Sequence, residues 1–387
     1  MSWQKLTLRD ISLNIQTGPF GSQLHQSDYS EEGTPVVMPK DLIEGKISEE
    51  SIARVEEVHV NRLLKHKIEA GDILYARRGD VGKCAFATER EKGWLCGTGC
   101  IRITVNTNVA NPQFLFYQLQ KPETVGWIEK HAIGATMLNL NTAILSAVPI
   151  ELPQMAIQNK VVDILKAYDD LIENNQKQIK LLEEVAQRLY KEWFVDFRFP
   201  NYVECIIVDG IPNGWKKVGI DEAFDIKYGK TLPVSMISSK GKYPVYGANG
   251  IIGYYDQKNC DECVALITSR GNGSGDVLRT HDAESFVTNN SFIVKGKEDY
   301  LCMPFSYEIM LHTNFKSVCT GSAQPQLTNN SISTLDIIIP RMQVIRKYNE
   351  IAVNWFNKIE VMLQQNKKII EARKRLLPKL MNGEIEV

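Results

Sequence analysis

The sequence predicts an α+β protein with two pseudo-symmetric globular domains joined by two long antiparallel coiled-coil helices. Three observations favour this fold class: an internal repeat, a long helical pattern in each copy of the repeat, and short apolar runs separated by glycine turns. The predicted division is a first globular domain at 1–152, a long helix at 153–199, a second globular domain at 200–339 and a second long helix at 340–387.

The repeat is seen most clearly in the segments that begin at Gly134 and Gly321. Pro153 matches Pro340 in the same register, and 340 − 153 = 187 is the offset at both places. The register continues without a gap through some sixty positions, which favours duplication over coincidence. The second half also opens like the first: Trp3-Gln-Lys-Leu opens the first copy, and Ile211-Pro-Asn-Gly-Trp215-Lys-Lys-Val opens the second. The chain is therefore expected to alternate a variable domain with a shared helix, twice.

The helices follow from apolar residues that recur every three or four positions after Pro153 and Pro340. The first is expected to run from Gln154 to near Phe199, about 70 Å at about 1.5 Å per residue, and Pro378 is expected to kink or fray the end of the second. Antiparallel pairing about the repeat axis would make Asn175 face Asn366. The alternative is that each helix packs only on its own domain. The positions predicted to pair the helices are Ile164, Tyr168, Asn175, Ile179, Leu182, Leu189, Ile351, Trp355, Met362, Asn366, Ile369 and Leu376.

In the globular domains, the sequence pattern predicts short strands separated by glycine turns. Strands are expected at 34–38, 73–75, 101–105, 264–268 and 291–294, and a helix should begin at Pro112. Arg-Gly turns occur at matched places, Arg78-Gly79 in the first domain and Arg270-Gly271 in the second. Glycine allows close approach of the backbone to a ligand, and Arg, Lys, Asn and Gln are the side chains that contact phosphates and base edges. Ordinary polar turns are the alternative for any single loop.

Composition limits the function classes. The formal net charge of −1 excludes a histone-like protein that holds nucleic acid by bulk charge, but not a protein with local basic patches. There is no signal-peptide pattern and no apolar run long enough for a membrane span, so we expect a cytoplasmic protein with reduced cysteines. Cys260 and Cys263 have zinc-knuckle spacing, but no second pair of ligands follows, so no metal site is predicted.

Catalytic motifs are absent or incomplete. The segment from Asn111 to Phe114 differs at its third position from the Asn-Pro-Pro-Phe loop of amino-methyltransferases, and no glycine-rich loop for S-adenosylmethionine precedes it. Gly79 to Lys83 lacks the spacing of a nucleotide-binding P-loop. The sequence therefore indicates a recognition protein without a catalytic centre.

Three segments resemble the specificity (S) subunits of type I restriction–modification systems. They are the region from Gly134 to Phe194, the Ile211-Pro-Asn-Gly-Trp215 opening of the second half, and the end of the chain from Arg375 to Ile385. The resemblance covers essentially the whole chain. It implies two target-recognition domains that each read half of a bipartite DNA sequence, and paired helices that set the spacer. It also implies no catalysis and no cofactor in this chain. Two modification (M) subunits with S-adenosylmethionine, and restriction (R) subunits with ATP and Mg²⁺, would be its partners on double-stranded DNA.

No family motif fixes the DNA contacts, so these are predicted from residue type and loop position. The candidates are Gln23, Lys40, Arg77, Arg78 and Lys83 in the first domain, and Lys227, Lys230, Arg270, Asn272 and Gln326 in the second. The main alternative function is a non-enzymatic coiled-coil scaffold that binds proteins. An enzyme is a third possibility, and it would require a cofactor or metal site that the sequence does not offer.

Overall fold

The computed structural model describes residues 3–134, 138–321 and 324–387, and the chain folds into two compact units. Unit 1 comprises Met1–Leu171 with Ile369–Val387, and unit 2 comprises Ile172–Lys368. Each unit thus contains one globular domain together with parts of the two long helices. The four-part division that the sequence suggests stays a prediction. The repeat segments after Gly134 and Gly321 include residues outside the described ranges.

Unit 1 contains twelve strands within its described residues. A central antiparallel sheet has the order β2-β11-β8-β9, a second sheet has the order β10-β4-β7-β3, and β1 pairs with β12. The strands are β1 Gln4–Thr7, β2 Ser12–Thr17, β3 Tyr29–Ser30, β4 Thr34–Val37, β5 Leu42–Ile43, β6 Lys46–Ile47, β7 Ala53–Val55, β8 Ile73–Ala76, β9 Cys84–Phe86, β10 Leu95–Cys96, β11 Cys100–Val105 and β12 Pro149–Leu152.

Unit 2 repeats this topology. Its central sheet has the order β16-β22-β19-β20, its second sheet has the order β18-β17-β21, and β15 pairs with β23. The strands are β13 Ile207–Val208, β14 Ile211–Pro212, β15 Lys216–Gly219, β16 Phe224–Tyr228, β17 Tyr243–Gly247, β18 Gly250–Tyr255, β19 Ala265–Thr268, β20 Val277–Arg279, β21 Phe286–Val287, β22 Ser291–Gly296 and β23 Asp336–Ile339. Because β8 and β19 occupy the same place in their sheets, the Arg-Gly turns that follow them are structurally equivalent.

Short helices pack on the sheets, and the two long helices are the segments that repeat in sequence. The short ones are α1 Glu57–Arg62, α2 Pro112–Leu119, α3 Pro122–His131, α4 Thr142–Ser146, α6 Ile220–Ala223, α7 Met303–Leu311 and α8 Asn329–Ile332, and the long ones are α5 Met155–Tyr190 and α9 Met342–Met381. The predicted helix at Pro112 is confirmed, and Asn111 caps it by accepting from the backbone N–H groups of Gln113 and Phe114. All five predicted strands are confirmed in place, with ends that differ by at most two residues.

The predicted end of the first long helix was wrong, and of the two effects predicted at Pro378, fraying is not seen while a kink stays a prediction. The α5 helix passes into a π-helical turn, Lys191–Val195, and ends there rather than at Phe199-Pro200. The helix ends here because Phe197 has a left-handed φ of 58°, a conformation common just past helix C-termini, while Trp193 and Phe194 are buried in the core of unit 2. At the other end of the chain, α9 continues through Pro378 to Met381. Burial of Leu377, Leu380 and Met381 in the core of unit 1 offsets the hydrogen bond that the proline cannot donate.

Candidate nucleic-acid interface

In unit 1 the candidate site begins where the buried strand β8 ends. The backbone N–H of Arg77 donates to Gly99 O at 2.7 Å, and the N–H of Leu140 donates to Arg77 O at 2.7 Å. Gly79 N donates to Leu138 O at 3.2 Å, and Arg78 forms a β-bridge with Asn139. The repeat segment at 138–140 therefore clamps the Arg-Gly turn and fixes where its side chains project.

In unit 2 the same clamp is built from equivalent residues. Leu327 N donates to Ser269 O at 2.8 Å, Gly271 N donates to Pro325 O at 3.1 Å, and Arg270 forms a β-bridge with Gln326. Gln326 is the repeat partner of Asn139, since 326 − 139 = 187. Ser269 N also donates to Asn290 O at 2.8 Å, so three loops meet at this end of the sheet.

Glycine is favoured in both turns by backbone conformation. Gly79 has φ 76° and Gly271 has φ 87°, a left-handed conformation that disfavours a side chain. A Cβ at either position would meet no heavy atom within 4 Å. The space beside each turn is open, so the backbone can approach a ligand closely.

The two arginines of these turns are the best placed of the ten predicted contacts. Arg78 and Arg270 are exposed. Within the described ranges, neither guanidinium has a side-chain hydrogen bond or an ion pair. Arg77 is half-buried, and its guanidinium lies 5.7 Å from the centre of the Phe20 ring. An exposed, unpaired guanidinium can hold a phosphate or the major-groove edge of guanine, whereas Arg77 is better suited to supporting the loop at Phe20.

The other predicted residues of unit 1 have protein partners. Gln23 is half-buried, and its Oε1 accepts from Phe20 N at 3.2 Å. Lys40 is exposed and donates to Ser51 O at 2.5 Å. Lys83 lies 3.4 Å from Asp80 Oδ2. All three side chains are therefore held by contacts within the protein. The two lysines would have to give up Ser51 and Asp80 to bind a phosphate.

In unit 2, the Nζ of Lys227 lies 2.5 Å from Asp225 Oδ2, and both residues lie on β16. Lys230 is exposed, and its backbone N–H donates to Val287 O at 3.0 Å. Asn272 is exposed at the tip of the Arg270 turn, while Gln326 is half-buried and pairs through its backbone with Thr320 at 2.8 Å. The structure thus brings Arg270, Asn272 and Gln326 into one group of loops. The DNA-binding role of all ten residues stays a prediction.

Sequence reasoning missed two residues at this site. Phe20 is a large aromatic side chain with 55% of its surface exposed, between two glycines of the first loop. An exposed aromatic ring can make apolar contact with the methyl group of thymine in the major groove. Asn139 bridges Arg78, and its repeat match with Gln326 was the signal that could have found it.

The residues predicted to pair the helices fall into both units. In unit 2, Asn175 Nδ2 donates to Asn366 Oδ1 at 2.8 Å, and the two side chains are only 4% and 7% exposed. The structure places this pair in contact, as the antiparallel register predicts. The ring centres of Tyr190 and Tyr348 lie 6.1 Å apart, a second contact that fits antiparallel pairing of the two long helices.

The remaining helix positions are mostly buried or half-buried. Ile164 and Leu376 pack on the core of unit 1, Leu189 and Trp355 pack on the core of unit 2, and Met362 is buried. Tyr168, Ile179, Leu182 and Ile369 are half-buried. Ile351 is a correction: it is 39% exposed, and its neighbour Ala352 is buried instead. The α9 helix also packs against its own globular domain, as Phe356 does against Tyr307, and this second contact shifts the buried stripe by one residue.

The titratable groups offer little reactive chemistry. All eight cysteines are free thiols, and burial raises the pKa of Cys84 and of Cys96 to about 12 and that of Cys260 to about 11. Such thiols stay protonated and are weak nucleophiles and metal ligands. Over the described ranges, there is no group of three or more His, Cys, Asp or Glu side chains that could hold a metal ion. None of the helices in the same ranges is both long and apolar enough to cross a membrane.

Comparisons with known proteins match this chain to one family. The family model for the type I restriction modification DNA specificity domain matches residues 2–184 and 212–371. The chain is 24% identical to the HindI specificity subunit of Haemophilus influenzae, over 99% of both chains. It is 23% identical to the MjaIX specificity subunit of Methanocaldococcus jannaschii, over 82% of this chain and 78% of that one.

A solved structure has the same fold. The crystal structure of a type I restriction–modification S subunit from M. genitalium superposes with a TM-score of 0.63 at 18% identity, covering 98% of this chain and 96% of that one. The predicted α+β fold class is confirmed. The matches support the DNA-specificity interpretation and give no support to the alternative of a protein-binding scaffold.

Proposed function

Because the chain belongs to the family of type I restriction modification DNA specificity domains, we propose that it is the sequence-specificity subunit of a type I restriction–modification complex. Each globular domain reads one half of a bipartite double-stranded DNA target. The paired helices set the spacer and dock two modification subunits. The chain itself recognises DNA and catalyses nothing.

The chemistry of the complex resides in its partners. Modification subunits bind S-adenosylmethionine and methylate adenine, and restriction subunits with ATP and Mg²⁺ join them for cleavage. The assembly acts in the cytoplasm. This chain contributes the position of the DNA relative to those subunits.

The duplicated clamp is the observation that carries the proposal. Two units of one chain hold an exposed arginine at the same place in the same fold, by the same backbone hydrogen bonds to the same repeat segment. A protein that reads two half-sites needs two such equivalent projections. Arg78 would contact one half-site and Arg270 the other, either at a guanine edge or at a phosphate.

The test is to map methylated adenines in the DNA of cells that carry the modification subunits with and without this chain. We expect methylation only with the chain, at one bipartite sequence. Arg270→Ala in the assembled complex should reduce methylation of that sequence by about 10- to 100-fold, the value of one good base contact.

Arg198→Ala is the matched control, since Arg198 is an exposed arginine of unit 2 that pairs with Glu192. It should leave methylation unchanged. If Arg270→Ala alters neither methylation nor DNA affinity, the assignment of Arg270 is wrong. If methylation does not depend on the chain at all, the proposed function is wrong.

A further inference from the structure

An ion pair between a buried arginine and a half-buried glutamate joins the second globular domain to the long helix α9. Arg279 ends strand β20 and is only 5% exposed. Its Nη1 lies 2.5 Å from Oε1 of Glu360, in the middle of α9. His281 Nδ1 lies 3.1 Å from the same carboxylate oxygen. One carboxylate of the helix is therefore held by two side chains of the domain.

The contact extends along one face of the helix. Asp282 accepts from Gln364 Nε2 at 3.0 Å and pairs with Lys367 Nζ at 3.2 Å. Glu360, Gln364 and Lys367 are spaced by four and three residues, so they lie on the same side of α9. Three polar side chains of the domain's 279–282 segment thus match three polar side chains on consecutive turns of the helix.

Aromatic rings enclose the arginine. Its guanidinium lies 4.7 Å from the ring centre of Phe356 on α9 and 5.8 Å from that of Tyr307 on α7. Glu183 of α5 lines a cavity together with Arg279 and Tyr307. The ion pair therefore lies at a junction of the globular domain with both long helices of unit 2.

Such an arrangement is better suited to fixing geometry than to adding stability. The desolvation cost of a buried ion pair offsets most of its Coulombic attraction, and apolar residues would hold the elements together as well. The hydrogen bonds of Arg279 and His281 to Glu360 Oε1 are directional, however, and form in only one register. A slip of the domain along α9 by one turn would leave Arg279 buried without its carboxylate, which is strongly unfavourable.

Unit 1 has its own polar junction, made from different residues. Asp169 on α5 accepts from the hydroxyl of Tyr117 on α2 at 2.7 Å, and it pairs with Arg373 Nε on α9 at 2.5 Å. Arg373 also donates to Gln120 Oε1 at 3.3 Å. Both units thus tie a globular domain to the helices with an arginine–carboxylate pair, although Asp169 and Glu360 are not repeat partners.

We propose that Arg279 and Glu360 are positioning residues that set the spacer length accepted between the two half-sites. They fix the place of the second domain on α9, and so the place of its reading loops, without touching DNA. This inference rests on the proposed function. It adds that spacer selectivity depends on the domain–helix junction as well as on the length of the helices.

The experiment uses the complex with its modification subunits and the target mapped as above. Methylation is measured on DNAs that keep both half-sites but have spacers one base pair shorter, native, or one base pair longer. For Glu360→Gln and Arg279→Met, we expect the ratio of native-spacer to altered-spacer methylation to fall by about tenfold or more. The reason is that each change removes the ion pair that holds the domain at one place on α9. Half-site base changes should still abolish methylation. Arg279→Lys keeps the charge and should restore much of the ratio.

Asp299→Asn is the matched control. It removes a second pair between the domain and α9, Asp299 with Arg346 at 3.0 Å, but Asp299 is 76% exposed and such pairs constrain little. Its spacer ratio should equal that of the unchanged chain. If Glu360→Gln lowers methylation equally on all three spacers, or changes none, the positioning role is overturned while the proposed function stands. If the unchanged complex ignores half-site base changes, the proposed function itself fails.

Discussion

Glu308 is a buried acid in helix α7 that makes stability depend on pH. It is 1% exposed, and within the described part of the chain its Oε2 has no hydrogen-bond partner. Burial raises the pKa of this carboxyl from 4.5 to about 8, nearby Arg279 opposes the shift, and the charge of Glu183 adds to it. The folded protein therefore holds a proton on Glu308 at neutral pH.

We predict that Glu308→Gln stabilises the protein at pH 8 and has much less effect at pH 5. Between about 4.5 and 8 the unfolded chain loses a proton that the folded chain keeps, so the free energy of unfolding falls as pH rises through that window. The amide removes this loss, which is worth up to about 4 kcal/mol at the upper end. Urea unfolding at the two pH values measures it, with Glu371→Gln as an exposed control. An equal difference at both pH values would contradict the prediction.

Among single side chains, sequence reasoning succeeded where the side chain belongs to a recognisable turn. Arg78 and Arg270 each precede a glycine with positive φ, and each emerges exposed at the end of a buried strand. It gave no prediction where exposure depends on distant packing. Glu308 lies on a short helix that is buried on most sides, and Phe20 is an aromatic ring that stays in solvent. Local sequence does not contain the neighbours that decide these outcomes.

The long helices show what a periodic pattern can and cannot predict. The sequence correctly placed Asn175 opposite Asn366. Once the repeat offset is known and the helices are taken as antiparallel, only one register of the helix pair is possible. The pattern misjudged the burial of Ile351 and predicted fraying at Pro378 that does not occur, because both depend on what else packs against α9. A stripe of apolar residues predicts one buried helix face, the one that packs on the other helix. The α9 helix buries a second face against its own globular domain.

We predict that Asn366→Leu destabilises the protein while the double change with Asn175→Leu does not. The single change leaves a buried amide unsatisfied, at a cost of about 1–3 kcal/mol. In the double variant, two apolar side chains of similar volume replace the pair, which is neutral or stabilising at comparable sites. Urea unfolding of the four members of this double-mutant cycle gives the coupling energy. Additive effects of the two changes would show that the amides do not depend on each other.

Over the chain as a whole, positive and negative charges nearly balance, and some lysines of the candidate interfaces lie beside a carboxylate. The formal net charge is −1. Lys83 pairs with Asp80, Lys227 with Asp225, and Lys316 with Asp276. A lysine with a carboxylate beside it attracts phosphate weakly, because the two charges largely cancel at a distance. Non-specific attraction to DNA should therefore be modest in this chain, which leaves discrimination to the exposed arginines of the two turns.

This balance predicts that Asp225→Asn strengthens DNA binding and makes it more sensitive to salt. Removing the carboxylate frees Lys227 for a phosphate, and each phosphate contact steepens the dependence of log K on log salt by about 0.9. The effect should be the same on target and non-target DNA, since phosphate contacts carry no sequence information. The measurement is the affinity of the assembled complex for both DNAs over a salt series, with Asp225→Asn/Lys227→Ala as the control that should lose the gain. If the slope of Asp225→Asn equals that of the unchanged complex, Lys227 does not contact phosphate.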